Sequence, residues 1–122
     1  MARESAMTVY LAGPITGDAG YRLKFAAAEN SIRQRDPSAV VINPAKLPEG
    51  MDRADYMAIC LPMLMRADMV YLLPGWRSSG GAQIEKRLAE YLRIRTVEIS
   101  FTLPGLELSD EELLKALEDP RA

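Results

Sequence analysis

The chain has 122 residues, 48% of them hydrophobic and 26% charged, with a net charge of −2. That is one domain's worth of core-forming sequence, which excludes bulk disorder, and a slightly acidic chain is not a general binder of nucleic-acid polymers. There is no histidine and one cysteine, Cys60, so an intramolecular disulfide, a Cys/His zinc site and any histidine-based triad are excluded. Chemistry is left to carboxylates, hydroxyls, Lys/Arg or backbone groups. Residues 1–106 hold 13 basic and 11 acidic side chains, whereas residues 107–122 hold 2 basic and 6 acidic ones, a net −4. This divides the chain into a near-neutral domain, 1–106, and an acidic tail, 107–122. No apolar run reaches the roughly 20 residues of a membrane span. Residues 1–7 lack an apolar signal core. With its lone thiol, the chain is expected to be cytoplasmic, without a membrane partner.

In chain order, residues 7–12 form a short apolar run, read as a buried strand, that stops at Gly13-Pro14. Tyr21, Phe25, Ala28 and Ile32 then recur at helical spacing, predicting a helix over about 21–35. Asp36-Pro37-Ser38 breaks it, and Ala39 to Ile42 is a second strand closed by Asn43-Pro44. A loop over 47–52 leads to a second helix, capped by Asp52 or Asp55, with Met57, Leu61 and Leu64 on one side and Pro62 expected to kink or weaken it locally. Met69 to Leu73 is a third strand, and residues 74–81 form a Gly/Ser-rich loop. A third helix comes next, with Ile84, Leu88 and Tyr91 or Leu92 on one side, and then a fourth strand at 96–99. Ser109-Asp110-Glu111-Glu112 matches a capping box that opens a C-terminal helix with Leu113, Leu114 and Leu117. Short strands, apolar on both faces and alternating with helices, predict a Rossmann-like (flavodoxin-like) α/β fold. It has a parallel sheet of four to five strands with helices on both faces, plus that C-terminal helix.

In such sheets ligands sit beyond the C-terminal ends of the strands. Three loops fall there: 13–20, 43–50 and 74–81. The first, with Gly13, Thr16 and Gly17, fits a plain turn or a backbone cradle for an anion. The third runs Ser79-Gly80-Gly81 into a helix N-terminus, where N–H groups favour an anion. Glu85 lies in that first turn. It fits either a nucleophile or base at a pocket floor or a carboxylate placed for the helix dipole. Trp76 fits a stacking platform for a planar base or a loop anchor. Asn43 is read chiefly as an Asx turn, with a sugar hydroxyl as the other reading. Tyr10, mid-strand, needs a partner for its hydroxyl, and the loop holding Glu85 is placed to supply one.

These residues carry a resemblance. Val9-Tyr10-Leu11-Ala12-Gly13-Pro14, Ala67-Asp68-Met69-Val70-Tyr71-Leu72 and Ser79-Gly80-Gly81-Ala82-Gln83-Ile84-Glu85 resemble the nucleoside 2-deoxyribosyltransferase-like superfamily. The nearest likeness is to a short bacterial and phage branch of it, over about residues 8–99. The resemblance implies cleavage or exchange of the N-glycosidic bond of a nucleoside or nucleotide. Glu85 would be the nucleophile and Tyr10 would orient it. Ser79 and Gly81 match the family's ligand-binding positions, and with Gly13, Thr16, Gly17, Asn43, Trp76 and Gly80 from the loops they are the candidate ligand-binding residues. No metal and no cofactor is implied, and relatives form homo-oligomers. One position departs: Cys60 stands where active relatives carry an aspartate. The first loop also has Pro14 and Thr16 in place of basic and serine residues. The alternative is a non-catalytic nucleotide-binding protein of the same fold, acting as a sensor or sequestering protein.

Overall fold

The computed structural model describes residues 6–99. The expected C-terminal helix lies outside them. Four strands alternate with three helices: β1 Thr8–Ala12, α1 Tyr21–Arg35, β2 Val40–Ile42, α2 Arg53–Leu64, β3 Met69–Leu72, α3 Gly80–Tyr91 and β4 Arg95–Glu98. All strand pairs are parallel, in the order β2-β1-β3-β4. This is the doubly wound, Rossmann-like arrangement, and its strand order reverses between β1 and β3.

Right-handed crossovers put α1 on one face and α2 with α3 on the other. The strands alternate accordingly. Val9 and Leu11 of β1 pack on Tyr21, Phe25, Ala28 and Ile32 of α1. Tyr10 and Ala12 point the other way, into a cluster with Cys60 and Leu64 of α2 and Ala82 and Ala89 of α3. Burial on both faces explains why the strands read as continuous apolar runs rather than alternating ones. Each large core side chain, such as the buried Phe25, contributes about 1.5–3 kcal/mol by leaving water. At the N-terminal edge, the Asp68 carboxylate accepts the Thr8 N–H at 2.9 Å, tying β3 to β1 at the end remote from the ligand edge.

Pro62 sits in the last turn of α2, which runs on to Leu64. Asp52 stands at the N-cap of α2 without a side-chain capping bond. Of the apolar side expected for α3, Leu88 packs partly buried against the core and Leu92 is half-buried, but Ile84 and Tyr91 are not on the buried face. Ala82, Glu85 and Ala89 are buried, while Ile84 and Tyr91 are exposed. Small side chains on the inner face let α3 lie close to the sheet, and that approach brings Glu85 onto β1.

Candidate active site at the carboxyl edge of the sheet

The site grows from the two strands at the reversal point. After β3, Leu73-Pro74-Gly75-Trp76 closes a turn in which the Trp76 N–H meets the Leu73 carbonyl at 3.1 Å. Gly75 has φ +86 and ψ 2, the left-handed geometry that the third position of a type II turn needs. A 3-10 turn, Trp76–Ser78, comes next. Ser79 then caps α3: its Oγ accepts the Ala82 N–H at 3.2 Å. The N–H groups of Gly80 and Gly81 precede the first helical hydrogen bond, from Gln83 to Ser79. A Cβ on Gly81 would stand 3.3 Å from Met57 Sδ, so glycine lets the start of α3 pass close to α2. After β1, Gly13 is still more confined, since a Cβ there would meet that of Leu73 at 2.8 Å.

Between these segments lies a cavity of about 310 Å³, a volume typical of small-molecule sites. The first loop contributes Gly13, Ile15 and Thr16, and α2 contributes Arg53, Tyr56, Met57 and Cys60. The remaining wall runs from Ser78 through Ser79, Gly80 and Gly81 to Ile84 and Glu85. Glu85 is buried, only 6% exposed, and its Oε2 accepts a short hydrogen bond from the Tyr10 hydroxyl, itself wholly buried.

Electrostatics follow from that burial. Loss of water pushes the Glu85 carboxyl up to about 7, although the Tyr10 hydrogen bond favours its charged form and pulls the other way. The Tyr10 phenol is pushed far above its ordinary value by burial first, then by the Glu85 charge, so it stays a donor. Burial also raises the Cys60 thiol, which lies against the Tyr10 hydroxyl and near Glu85. Near neutral pH the site therefore holds a carboxyl poised between its two states, a protonated phenol and a protonated thiol. A carboxylate held by one donor at a cavity wall is suited to nucleophilic attack or proton transfer.

The structure brings Glu85, Tyr10, Gly13, Thr16, Ser79, Gly80 and Gly81 together. Three candidates stand elsewhere. The Asn43 amide is spent on structure: its Nδ2 donates to Glu29 at 3.0 Å and its Oδ1 accepts the Ala45 N–H at 2.9 Å. It makes the Asx turn and does not line the cavity. Gly17, at φ +84, takes the left-handed position of a turn closed by Asp18 N–H on the Ile15 carbonyl. It lines a shallower depression that shares Ile15, Thr16 and Tyr56 with the cavity. Trp76 is buried against the core on the α2/α3 face, beneath the Arg77 guanidinium, and does not line the cavity. It is the loop anchor, not a stacking platform for a base in this cavity.

Sequence reasoning missed Arg53 and Tyr56. The signal was present: both lie in the first turn of the helix leaving the second edge loop, and a first turn points back toward that edge. Among the described residues, no group of three or more His, Cys, Asp or Glu side chains could hold a metal, and no helix is long and apolar enough to cross a membrane. A search of curated proteins finds no match to the chain. The model of one family, described as a domain of unknown function (DUF4406), matches residues 7–98. That span holds every strand and helix described above and the whole cavity wall, and the chain belongs to this DUF4406 family.

Proposed function

We propose that the protein cleaves or transfers the N-glycosidic bond of a nucleoside or nucleotide, with Glu85 as nucleophile. The observation that carries this reading is a buried carboxylate at a cavity wall, held by a buried tyrosine hydroxyl. Tyr10 occupies Oε2, which leaves Oε1 to attack. In the reaction, Oε1 bonds to the anomeric carbon as the bond from that carbon to the base nitrogen breaks. The base leaves with the electron pair and takes a proton from solvent. Water, or a second base, then displaces Glu85 from the glycosyl ester and restores the carboxylate. This retaining double displacement needs no metal or organic cofactor. Gly13, Thr16, Ser79, Gly80 and Gly81 would hold the sugar and any phosphate it carries. The likeness of the Tyr10 and Ser79–Glu85 segments to the nucleoside 2-deoxyribosyltransferase-like superfamily supports the same chemistry. A small-molecule substrate and a lone unpaired thiol fit a cytoplasmic setting.

A second reading, a nucleotide-binding protein without turnover, is favoured by one observation. Among the described residues Glu85 is the only carboxylate lining the cavity, and the resemblance puts the buried Cys60 thiol at the position where active relatives carry an aspartate. Incubation with nucleosides, nucleoside monophosphates and NAD, followed by chromatography of free base, separates the two. Release by the wild type and not by Glu85→Gln supports the glycosidase. An unchanged ligand that raises the melting temperature supports the binding protein.

A further inference from the structure

On the far side of the Trp76–Ser78 turn lies a groove that the cavity chemistry does not use. It is lined by Trp76, Arg77, Gln83, Lys86, Arg87 and Glu90, three cations against one carboxylate. The Trp76 ring forms its floor, with the Arg77 guanidinium 4.7 Å and Lys86 Nζ 5.5 Å from the ring centroid. Arg77 also reaches the last residue of β4, donating to both oxygens of Glu98 at 3.0 Å. The groove therefore begins beside the point where the chain leaves β4.

The sequence beyond β4 turns acidic. Residues 107–122 carry 6 acidic and 2 basic side chains, four of the acids within 107–112. The linking residues, 100–106, are seven in number, and even a partly extended chain of that length reaches about 20 Å. We propose that this groove is the docking surface for the protein's own acidic C-terminal segment, the Glu107–Glu112 carboxylates meeting Arg77, Lys86 and Arg87. Charge complementarity, proximity to the end of β4 and the linker length all select this occupant. Arg77 carries its pairing with Glu98 and Lys86 its pairing with Glu90 at 2.6 Å, so the exposed Arg87 supplies most of the attraction and the other two share theirs. Because Ser78 and Ser79 border the cavity on the other side of the same turn, docking braces the cavity wall from outside.

Trp76 is the only tryptophan, so it reports on the groove directly. The test is acrylamide quenching of Trp76 in the full chain at low and high salt. Its comparison is a full-length variant with Glu107→Gln, Asp110→Asn, Glu111→Gln and Glu112→Gln. The docked segment shields the ring at low salt, and quenching rises about twofold when salt screens exposed pairs or the acids are neutralised. Arg87→Glu should give the same loss of shielding with the tail intact. Carbodiimide coupling supplies a second readout, an intramolecular Lys86 link to a carboxylate within 107–112, absent from the neutralised variant. Identical quenching of wild type and neutralised chain at every salt concentration, without that link, overturns the proposal. Shielding that grows with protein concentration, with links between chains, also overturns it by seating the tail on a second copy.

Discussion

Replacing Glu85 with glutamine should stabilise the protein at neutral pH while removing its chemistry. The Glu85 carboxyl is raised from an ordinary 4.5 to about 7 by burial. Below pH 4.5 folded and unfolded chains both hold it protonated, and its full contribution to stability is present. Between the two values the unfolded chain releases the proton and the folded chain keeps it, so stability falls as pH rises. Above about 7 both are ionised and the loss is complete. A shift of that size corresponds to about 3 kcal/mol, a large share of the roughly 5–15 kcal/mol that holds a domain together. Glutamine keeps the side chain's size and an oxygen for the Tyr10 hydroxyl, but it does not titrate. Urea unfolding of both proteins, followed by circular dichroism from about pH 4.5 to about pH 8, gives the difference directly. Other titrating groups cancel in that difference. Wild type should lose about 3 kcal/mol relative to Glu85→Gln across the window, at up to about 1.4 kcal/mol per pH unit. A difference that stays flat with pH would refute the reasoning, because it would mean that Glu85 titrates as a solvated carboxylate.

Other outcomes rest on the same geometry. Tyr10→Phe removes the donor that favours the charged carboxylate, so Glu85 should titrate higher still. The rising limb of the pH–rate profile, near pH 7 in the wild type, should move to higher pH, as steady-state kinetics over a pH series would show. Gly13→Ala should destabilise by about 1–3 kcal/mol in thermal or urea unfolding, because its Cβ would stand 2.8 Å from that of Leu73 where two strand ends converge. An oligomer should appear by light scattering, since Ile84 at the cavity wall and Tyr91 further along α3 leave exposed apolar surface for a second copy. A monomer at all concentrations would remove that expectation.

The fold was largely legible because it rests on patterns that tertiary contacts reinforce. The run from Tyr21 to Ile32 packs on the sheet as its spacing predicts, and strands buried on both faces read as uninterrupted apolar segments. The pairing of Tyr10 with Glu85, 75 positions apart in the chain, was also readable. A tyrosine in a core strand needs a partner, and parallel topology puts the segment after the third strand beside it, although Glu85 stands in the second turn of α3 and not in the first. What failed was side-chain direction. The apolar residues of α3 looked like its buried face, but close approach to the sheet selects the small ones, Ala82 and Ala89, and Ile84 turns outward. Trp76, Gly17 and Asn43 all lie on the correct loops. Whether a loop side chain faces the cavity depends on turn geometry and on distant partners such as Glu29, which periodicity does not encode. Arg53 was missed for another reason: it belongs to a helix, and its place in the first turn after the second edge loop, which points it back to the cavity, was not used.

At the centre of the proposed function stands a covalent bond from Glu85 to the anomeric carbon of a nucleoside or nucleotide. The most direct test is to trap that bond with 2-deoxy-2-fluoro analogues of whichever substrates release base, and to map the adduct by mass spectrometry of the digested protein. A fluorosugar is expected on the peptide containing Glu85, absent from Glu85→Gln. Base release that leaves no adduct, or an adduct on another residue, would contradict it.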